Sequence, residues 1–266
     1  MTRRIVLAVL LAFTVLPFVW TLVASLRPEA DLFSSTLWPA RLTLDHYMAL
    51  FTQRDFVTPI RNSLVVAGTT TLLCVVAGTL AAYALARLEF RGKSLVLGFI
   101  LAVTMFPQIS IVSPLFLLLR ALRLIDTYPG LILPYLTFAM PLTVWLLVGY
   151  FRQIPIDVEE AARIDGASRL TILTRVVGPL ALPGIATTAI LTFIYCWNEF
   201  LFALSFTLGA ERQTVPVAIA LFRGRYQIPW GEVLAAAIVA TAPVAALVLL
   251  FQRRIVQGLT SGAVKG

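Results

Sequence analysis

The sequence has little charge. Of its 266 residues, 13% are Asp, Glu, Lys or Arg, about half of the roughly 25% that is usual in soluble domains. Its mean hydropathy is +0.91. Because so few polar residues could not coat a soluble fold built from so many apolar runs, we predict a membrane-embedded protein.

Residues that carry enzyme chemistry are also scarce. Cys74 and Cys196, the two cysteines, each fall in an apolar run, and the spacing typical of metal ligands is absent, so we expect neither a disulfide nor a metal site. His46, the one histidine, lies in a long loop and is interpreted as a solvated side chain. The triplet GKS at 92–94 lacks the preceding glycine of a phosphate-binding loop, since Arg87 stands there. We therefore expect a protein that is not an enzyme and does not itself bind ATP.

What the chain does contain is long apolar runs. Crossing about 30 Å of hydrocarbon takes about 20 helical residues, and six runs reach that length. We predict one membrane domain over 1–266 with six transmembrane helices, at about 5–26, 63–86, 94–119, 131–151, 179–208 and 233–251. The first run exceeds the roughly 7 to 15 residues of a signal-peptide core, so it is interpreted as a span.

The basic residues indicate a topology. The net charge is +8, and the segments on the side of the N-terminus carry twelve of the 21 basic residues: Arg3, Arg4, Arg87, Arg91, Lys93, Arg152, Arg163, Arg169, Arg175, Arg253, Arg254 and Lys265. Short loops rich in Lys and Arg favour the cytoplasmic side. We therefore predict that both termini are cytoplasmic, and that the positive charge reflects topology rather than binding of nucleic acid.

One ionisable residue falls inside a predicted span. Glu199, in the stretch WNEF, lies in the fifth run, where a charge is costly and by default marks a pathway or a paired site. Asn198 and Glu199 are therefore candidates for the wall or outer gate of a conduit. The alternative, of equal weight, is that Glu199 is paired inside the bundle or near the external interface.

A short polar stretch, EEAARIDGAS at 159–168, separates two apolar runs. Its spacing predicts a helix over about Val158 to Asp165 that Asp157 caps with the help of Glu160. Gly166 is suited to end this helix in a left-handed conformation, and Ser168 to cap the next turn. Such a helix is too short to be stable alone. Either it lies against neighbouring helix ends, or a small-residue face enters a partner's groove; that face would contain Val158, Ala161, Ala162 and Asp165.

The same stretch resembles a family pattern. Glu160, Ala161 and Ala162, followed by Gly166 and Pro179, resemble the EAA loop of permease subunits of bacterial ATP-binding-cassette (ABC) importers. The sequence departs from the family's Ile-x-Leu-Pro, because it has Gly178 in the place of leucine. The stretches NSLVVAGTT, AAYALARLEFRGK, MFPQISIVSPLF, GLILPY and WNEFLFAL resemble the carbohydrate permeases, specifically the shorter six-helix partner of the maltose-type pair, and among these the trehalose/maltose systems.

The resemblance implies an all-α type I importer permease and its partners. It implies a second permease subunit, two ATPase subunits that hold ATP and Mg, and an extracytoplasmic sugar-binding protein, at the prokaryotic cytoplasmic membrane. The cargo would be an oligosaccharide, and specifically a disaccharide such as trehalose or maltose. The loop 152–178 would couple transport to ATP hydrolysis through Glu159, Glu160, Ala161, Ala162, Asp165 and Gly166.

Two further segments acquire roles from the resemblance. The C-terminal tail resembles a family segment that contacts the ATPase subunits, which implies contacts by Gly258, Thr260, Ser261, Gly262 and Lys265. The external loop 209–232 resembles one that contacts the binding protein. Because the longer partner binds most of the sugar in maltose-type pairs, this chain would supply pathway walls. The alternatives are a self-sufficient secondary carrier with Glu199 as its ion site, and a membrane scaffold without transport.

Overall fold

The computed structural model describes residues 2–34, 36, 38–39, 41–222 and 228–261, with side chains as far as residue 252. Within these ranges every regular element is helical. The described residues contain twelve α-helices: α1 Thr2–Ser25, α2 Asp45–Thr52, α3 Val57–Arg87, α4 Lys93–Met105, α5 Ile109–Ala121, α6 Tyr128–Gln153, α7 Asp157–Ile164, α8 Arg169–Thr171, α9 Gly178–Trp197, α10 Leu201–Phe206, α11 Val215–Ala220 and α12 Trp230–Ser261.

Five of the described helical segments are long and apolar enough to cross a membrane, and there are six if the bent pair α4 and α5 is one span. The prediction of six spans is confirmed when α4 and α5 are counted together as one span. The other five are α1, α3, α6, α12 and the segment Arg169–Trp197, which ends with α9. Two of the predicted spans are nevertheless not the continuous helices that we expected.

The third predicted helix, 94–119, is wrong as a single helix. It is divided into α4 and α5, whose axes differ by 96°. The break contains Pro107, and Phe106 before it is extended, with φ −74° and ψ 131°. A proline disfavours the helical conformation of the residue before it, because its ring collides with that residue's backbone.

The fifth predicted helix, 179–208, is also interrupted. The helix α9 ends at Trp197 and the short α10 begins at Leu201. Between them Phe200 leaves the helical region, with φ −122° and ψ −39°. The side-chain amide of Asn198 donates to the Ile194 carbonyl over 2.8 Å, and the backbone amide of Asn198 donates to the same carbonyl over 3.1 Å at the end of α9.

The most extensive helix packing joins α3 and α6. Gly78 is buried in α3, and a Cβ at this position would lie 3.0 Å from Thr143 Cγ2 of α6. Ala82, one turn further, is fully buried beside Tyr83 and Phe151. Small side chains of this kind let two helix backbones approach closely. The pair α3 and α6 thus forms the centre against which α9 also packs.

His46 is not the solvated side chain that we expected, because it is only 7% exposed. It lies in α2, and a Cβ on Gly231 of α12 would overlap its ring. Its Nε2 is 2.8 Å from the Arg27 carbonyl oxygen. The loop before α3 therefore folds back on α12 instead of extending into solvent.

Candidate functional site

The helix α7, which carries most of the EEAARIDGAS stretch, begins one residue earlier than we predicted. Its N-cap residue is Ile156, which makes no side-chain cap bond, and Asp157 is already helical. The expected cap by Asp157 is therefore wrong. Asp157, Glu159 and Glu160 all lie in the first turn, where carboxylates favour a helix through its dipole. This turn is thus stabilised by charge rather than by a capping hydrogen bond.

Glu159 faces the interior of the bundle. It is 0% exposed, and its Oε1 lies 2.6 Å from Arg87 Nε at the end of α3. The Tyr83 hydroxyl donates to its other oxygen over 2.9 Å. Arg87 also donates to the Ile154 carbonyl, over 2.6 Å, in the turn that precedes α7. A helix too short to be stable alone is therefore held by a buried ion pair.

The opposite side of α7 is open. Glu160 and Ala161 are exposed, and Ile164 is 88% exposed. Of the small-residue face that the sequence suggested, Val158 and Ala162 are half-buried. The exposed surface is thus centred on Glu160, Ala161 and Ile164, with a branched apolar side chain at its end. We call these three residues the open face of α7.

The segment that follows α7 behaves largely as the spacing predicted. Gly166 has φ +80°, and Ser168 accepts a hydrogen bond from the Thr171 amide over 3.3 Å as the cap of α8. Asp165 and Gly166 are both exposed. The chain then passes through a π-helical turn, Ile172–Val177, before α9. A π turn inside an α-helix frequently marks a functional position.

Gly178 ends this π turn, and its geometry explains the departure from the family's leucine. Its amide donates to the Leu173 carbonyl, and a Cβ at 178 would lie 2.7 Å from that carbonyl oxygen. A side chain would therefore collide with the backbone of the turn. Only glycine fits this position without a change of the backbone.

The two pathway candidates point in different directions. Asn198 is exposed and lines a cavity of about 300 Å³ between α9, α11 and α12. Glu199 is only 8% exposed. Its two oxygens accept from the amides of Phe202, over 2.8 Å, and Ala203, over 3.1 Å. The Glu199 carboxylate thus caps α10, while Asn198 remains a candidate for a pathway wall.

The tail residues lie partly outside the described residues. Gly258, Thr260 and Ser261 belong to the backbone of α12, whose side chains are described only as far as residue 252. Gly262 and Lys265 lie beyond the described residues, as do 223–227 of the external loop. Contacts of these residues with a partner therefore stay predictions.

Sequence reasoning missed Tyr83 and Arg87, the partners of Glu159. The two residues stand four apart near the end of α3, a spacing that places both on one helix face. An aromatic hydroxyl and a guanidinium on one face at the end of an apolar helix are a detectable signal. It does not, however, reveal which carboxylate they bind.

Sequence comparisons assign the chain to known relatives. The profile described as binding-protein-dependent transport system inner membrane component matches residues 74–261. The trehalose transport system permease protein SugB of Mycobacterium tuberculosis is 49% identical over 96% of this chain and 93% of its own length. The trehalose/maltose transport system permease protein MalG of Thermococcus litoralis is 44% identical over 99% and 98%. The sulfoquinovosyl glycerol permease SmoH of Agrobacterium fabrum is 42% identical over 99% and 93%.

The fold is similar to solved transporter chains. One belongs to a bacterial ABC transporter that imports the acidic polysaccharide alginate, with a TM-score of 0.81, 23% identity and coverage of 95% of this chain and 94% of that chain. Another belongs to the MetNI methionine ABC transporter, with a TM-score of 0.59, 18% identity and coverage of 76% and 95%. The helical arrangement is therefore that of an ABC importer permease.

Proposed function

The chain belongs to the family of binding-protein-dependent transport system inner membrane components, and we propose that it is a permease subunit of an ATP-driven sugar importer. It forms half of the translocation pathway for an oligosaccharide. Relatives named for trehalose, trehalose/maltose and sulfoquinovosyl glycerol transport support a glycoside as cargo. The two that are most similar among these support a disaccharide such as trehalose or maltose.

The contacts and exposure of α7 support the part of this proposal that concerns coupling of transport to ATP hydrolysis. Its inner side is fixed by the Glu159 ion pair, while its open face ends in Ile164, which is 88% exposed. A partner that covers this side chain removes its apolar surface from water, which is favourable. We propose that this partner is an ATPase subunit. The residues in or beside the contact are then Glu160, Ala161, Ala162, Asp165 and Gly166.

The assembly and orientation follow from the same proposal. A second permease subunit completes the pathway, two ATPase subunits bind below α7 and hydrolyse ATP with Mg, and an external protein delivers the sugar. The loop 152–178 and both termini then face the cytoplasm, and the chain forms a single permease domain in the cytoplasmic membrane. A solved relative in fold was crystallised with a periplasmic protein bound to alginate pentasaccharide, which supports the external partner.

The alternative of a secondary carrier has little support. It needs Glu199 to exchange a proton or sodium ion during transport, yet both Glu199 oxygens accept backbone amide hydrogens at the start of α10. Releasing this carboxylate would leave two buried donors without partners, which is costly. No described feature favours the scaffold alternative over a transporter.

Reconstitution of the complex tests the proposal. The permease pair, the ATPase subunits and the binding protein are assembled in proteoliposomes, and ATP hydrolysis is measured with trehalose, maltose or no sugar. We expect stimulation only by loaded binding protein, and sugar uptake only with ATP. Uptake by this chain alone under an ion gradient, without ATP, would establish the secondary carrier instead.

A further inference from the structure

One end of α3 is fixed to α7. Arg87 and Tyr83 of α3 both bind the fully buried Glu159, at 2.6 and 2.9 Å, and Arg87 also binds the Ile154 carbonyl. A displacement of α7 without α3 would separate a buried ion pair and leave its charges unpaired, which is strongly unfavourable. The two helices are therefore expected to move together.

The other end of α3 is fixed to the segment before α11. The Asn62 amide donates to the carbonyls of Glu211 and Gln213, over 2.9 Å in each case. The Ser63 hydroxyl accepts from the Val215 amide over 2.8 Å. Asn62 and Ser63 are both buried, so water does not compete for these bonds. This segment, 211–215, is thus attached to the first turns of α3.

Between these two attachments α3 is a continuous helix. It has 31 residues, which corresponds to about 45 Å at 1.5 Å per residue. Its one proline, Pro59, lies in the first turn, where a helix tolerates proline. Each other span described as a single long helix has an interior proline that weakens it as a rigid element: Pro17, Pro134 with Pro141, Pro183 and Pro243.

We propose that α3 is a rigid connection that carries the displacement of α7 across the membrane to the segment 211–215, with Arg87 and Tyr83 as positioning residues. This inference rests on the proposed function, in which an ATPase subunit moves α7. Glu159 then has no contact with the ATPase and acts through Arg87. The binding-protein side and the ATPase side of the importer are joined within one helix of one chain.

Distances between paired spin labels test the rigid connection in the assembled complex. One pair is Asp157→Cys with Glu89→Cys, on exposed positions of α7 and just beyond α3, and the other is Arg61→Cys with Glu211→Cys at the opposite end. The native cysteines are buried. We expect both distances to be the same without nucleotide and with ATP. A shift of either distance on ATP binding would overturn the proposal, whatever the variants below show.

The variants Glu159→Gln and Arg87→Gln test whether Arg87 positions α7 through Glu159. We expect each to keep the ATPase subunits bound and basal hydrolysis intact, but to lower stimulation by loaded binding protein at least about tenfold, as one buried charge is left unpaired. The matched controls are Glu89→Gln and Arg152→Gln, which remove exposed charges nearby. The double variant Arg87→Gln/Glu159→Gln should recover part of the stimulation, because neither charge remains.

The possible failures are distinguishable. If the wild-type complex is not stimulated by loaded binding protein, the proposed function fails. If the wild type is stimulated and Glu159→Gln is stimulated equally, the positioning role fails and the function stands. Loss of ATPase binding in Glu159→Gln would assign Glu159 to the ATPase contact instead.

Discussion

Gln108 and Tyr195 join the two helix breaks of the bundle. The Gln108 side-chain amide donates to the Tyr195 hydroxyl over 2.6 Å. Gln108 follows the bend between α4 and α5, and Tyr195 lies in the last turn of α9, just before the break that leads to α10. The two irregular segments are thus connected through side chains rather than lying independently in the bundle.

Tyr195→Phe is expected to destabilise the chain by about 1 kcal/mol, because the half-buried Gln108 amide loses its acceptor. Thermal unfolding of the purified protein in detergent measures the effect. Gln108→Leu/Tyr195→Phe is the matched variant, and it should lose less than the sum of the two single substitutions. Strict additivity would mean that the hydrogen bond contributes nothing to stability.

The variant Glu199→Gln distinguishes a role of Glu199 as a helix cap from a role as an ion site. The amide keeps one acceptor oxygen for the first turn of α10, so we expect a stability loss of about 1 kcal/mol and ATP-driven uptake close to that of the wild type. Glu199→Ala removes both acceptors and should cost about 1–2 kcal/mol. Complete loss of uptake in a stable Glu199→Gln complex would contradict the capping role.

Gly166→Ala should impair coupling through the backbone. Residue 166 has φ +80°, and a left-handed conformation costs a residue with a Cβ about 1–2 kcal/mol. Nothing lies within 4 Å of a Cβ at 166, so the strain is conformational rather than steric. Gly166→Asn is the control, since asparagine tolerates this conformation. Stimulated ATP hydrolysis should fall in the alanine variant and recover in the asparagine variant; equal losses would argue against a backbone effect.

Gly184→Ala should weaken the contact between α6 and α9. A Cβ at 184 would lie 2.5 Å from Cγ of Tyr150, so the ring or the helix must shift, at a cost of about 1–3 kcal/mol. Gly149→Ala is the neighbouring control on α6, where no atom lies within 4 Å of the added Cβ, and helix propensity predicts no loss of stability. Unfolding midpoints in detergent compare the two, and a similar midpoint for both variants would contradict the close packing.

Hydropathy predicted the spans well but not their interruptions. Pro107 lies where the third run changes direction, because the residue before a proline avoids the helical conformation, and our prediction of one helix over 94–119 did not use this signal. The 96° angle between α4 and α5 depends on how both pack against the bundle, which no local pattern contains. The break after Trp197 coincides with the polar pair Asn198 and Glu199, for which the sequence left two interpretations open: the wall or gate of a pathway, or pairing of Glu199 inside the bundle or near the external interface.

The role of Glu159 could not be predicted from its own stretch. Glu159 and Glu160 are adjacent carboxylates on a short helix, and they point about 100° apart. Which of them faces inward depends on Tyr83, which stands 76 residues earlier in the chain. Local spacing thus predicts the helix, but its rotation about its own axis is determined by a distant hydrogen-bonding partner.

The π turn Ile172–Val177 has a consequence for the evolution of this loop. A π turn holds one more residue than the α turn that it replaces, so deleting a single residue there would restore a regular helix. The deletion would also rotate everything before the turn by about 100° relative to α9. The open face of α7 would then meet a partner in another direction. The number of residues in this turn therefore determines the direction in which the open face of α7 points relative to α9.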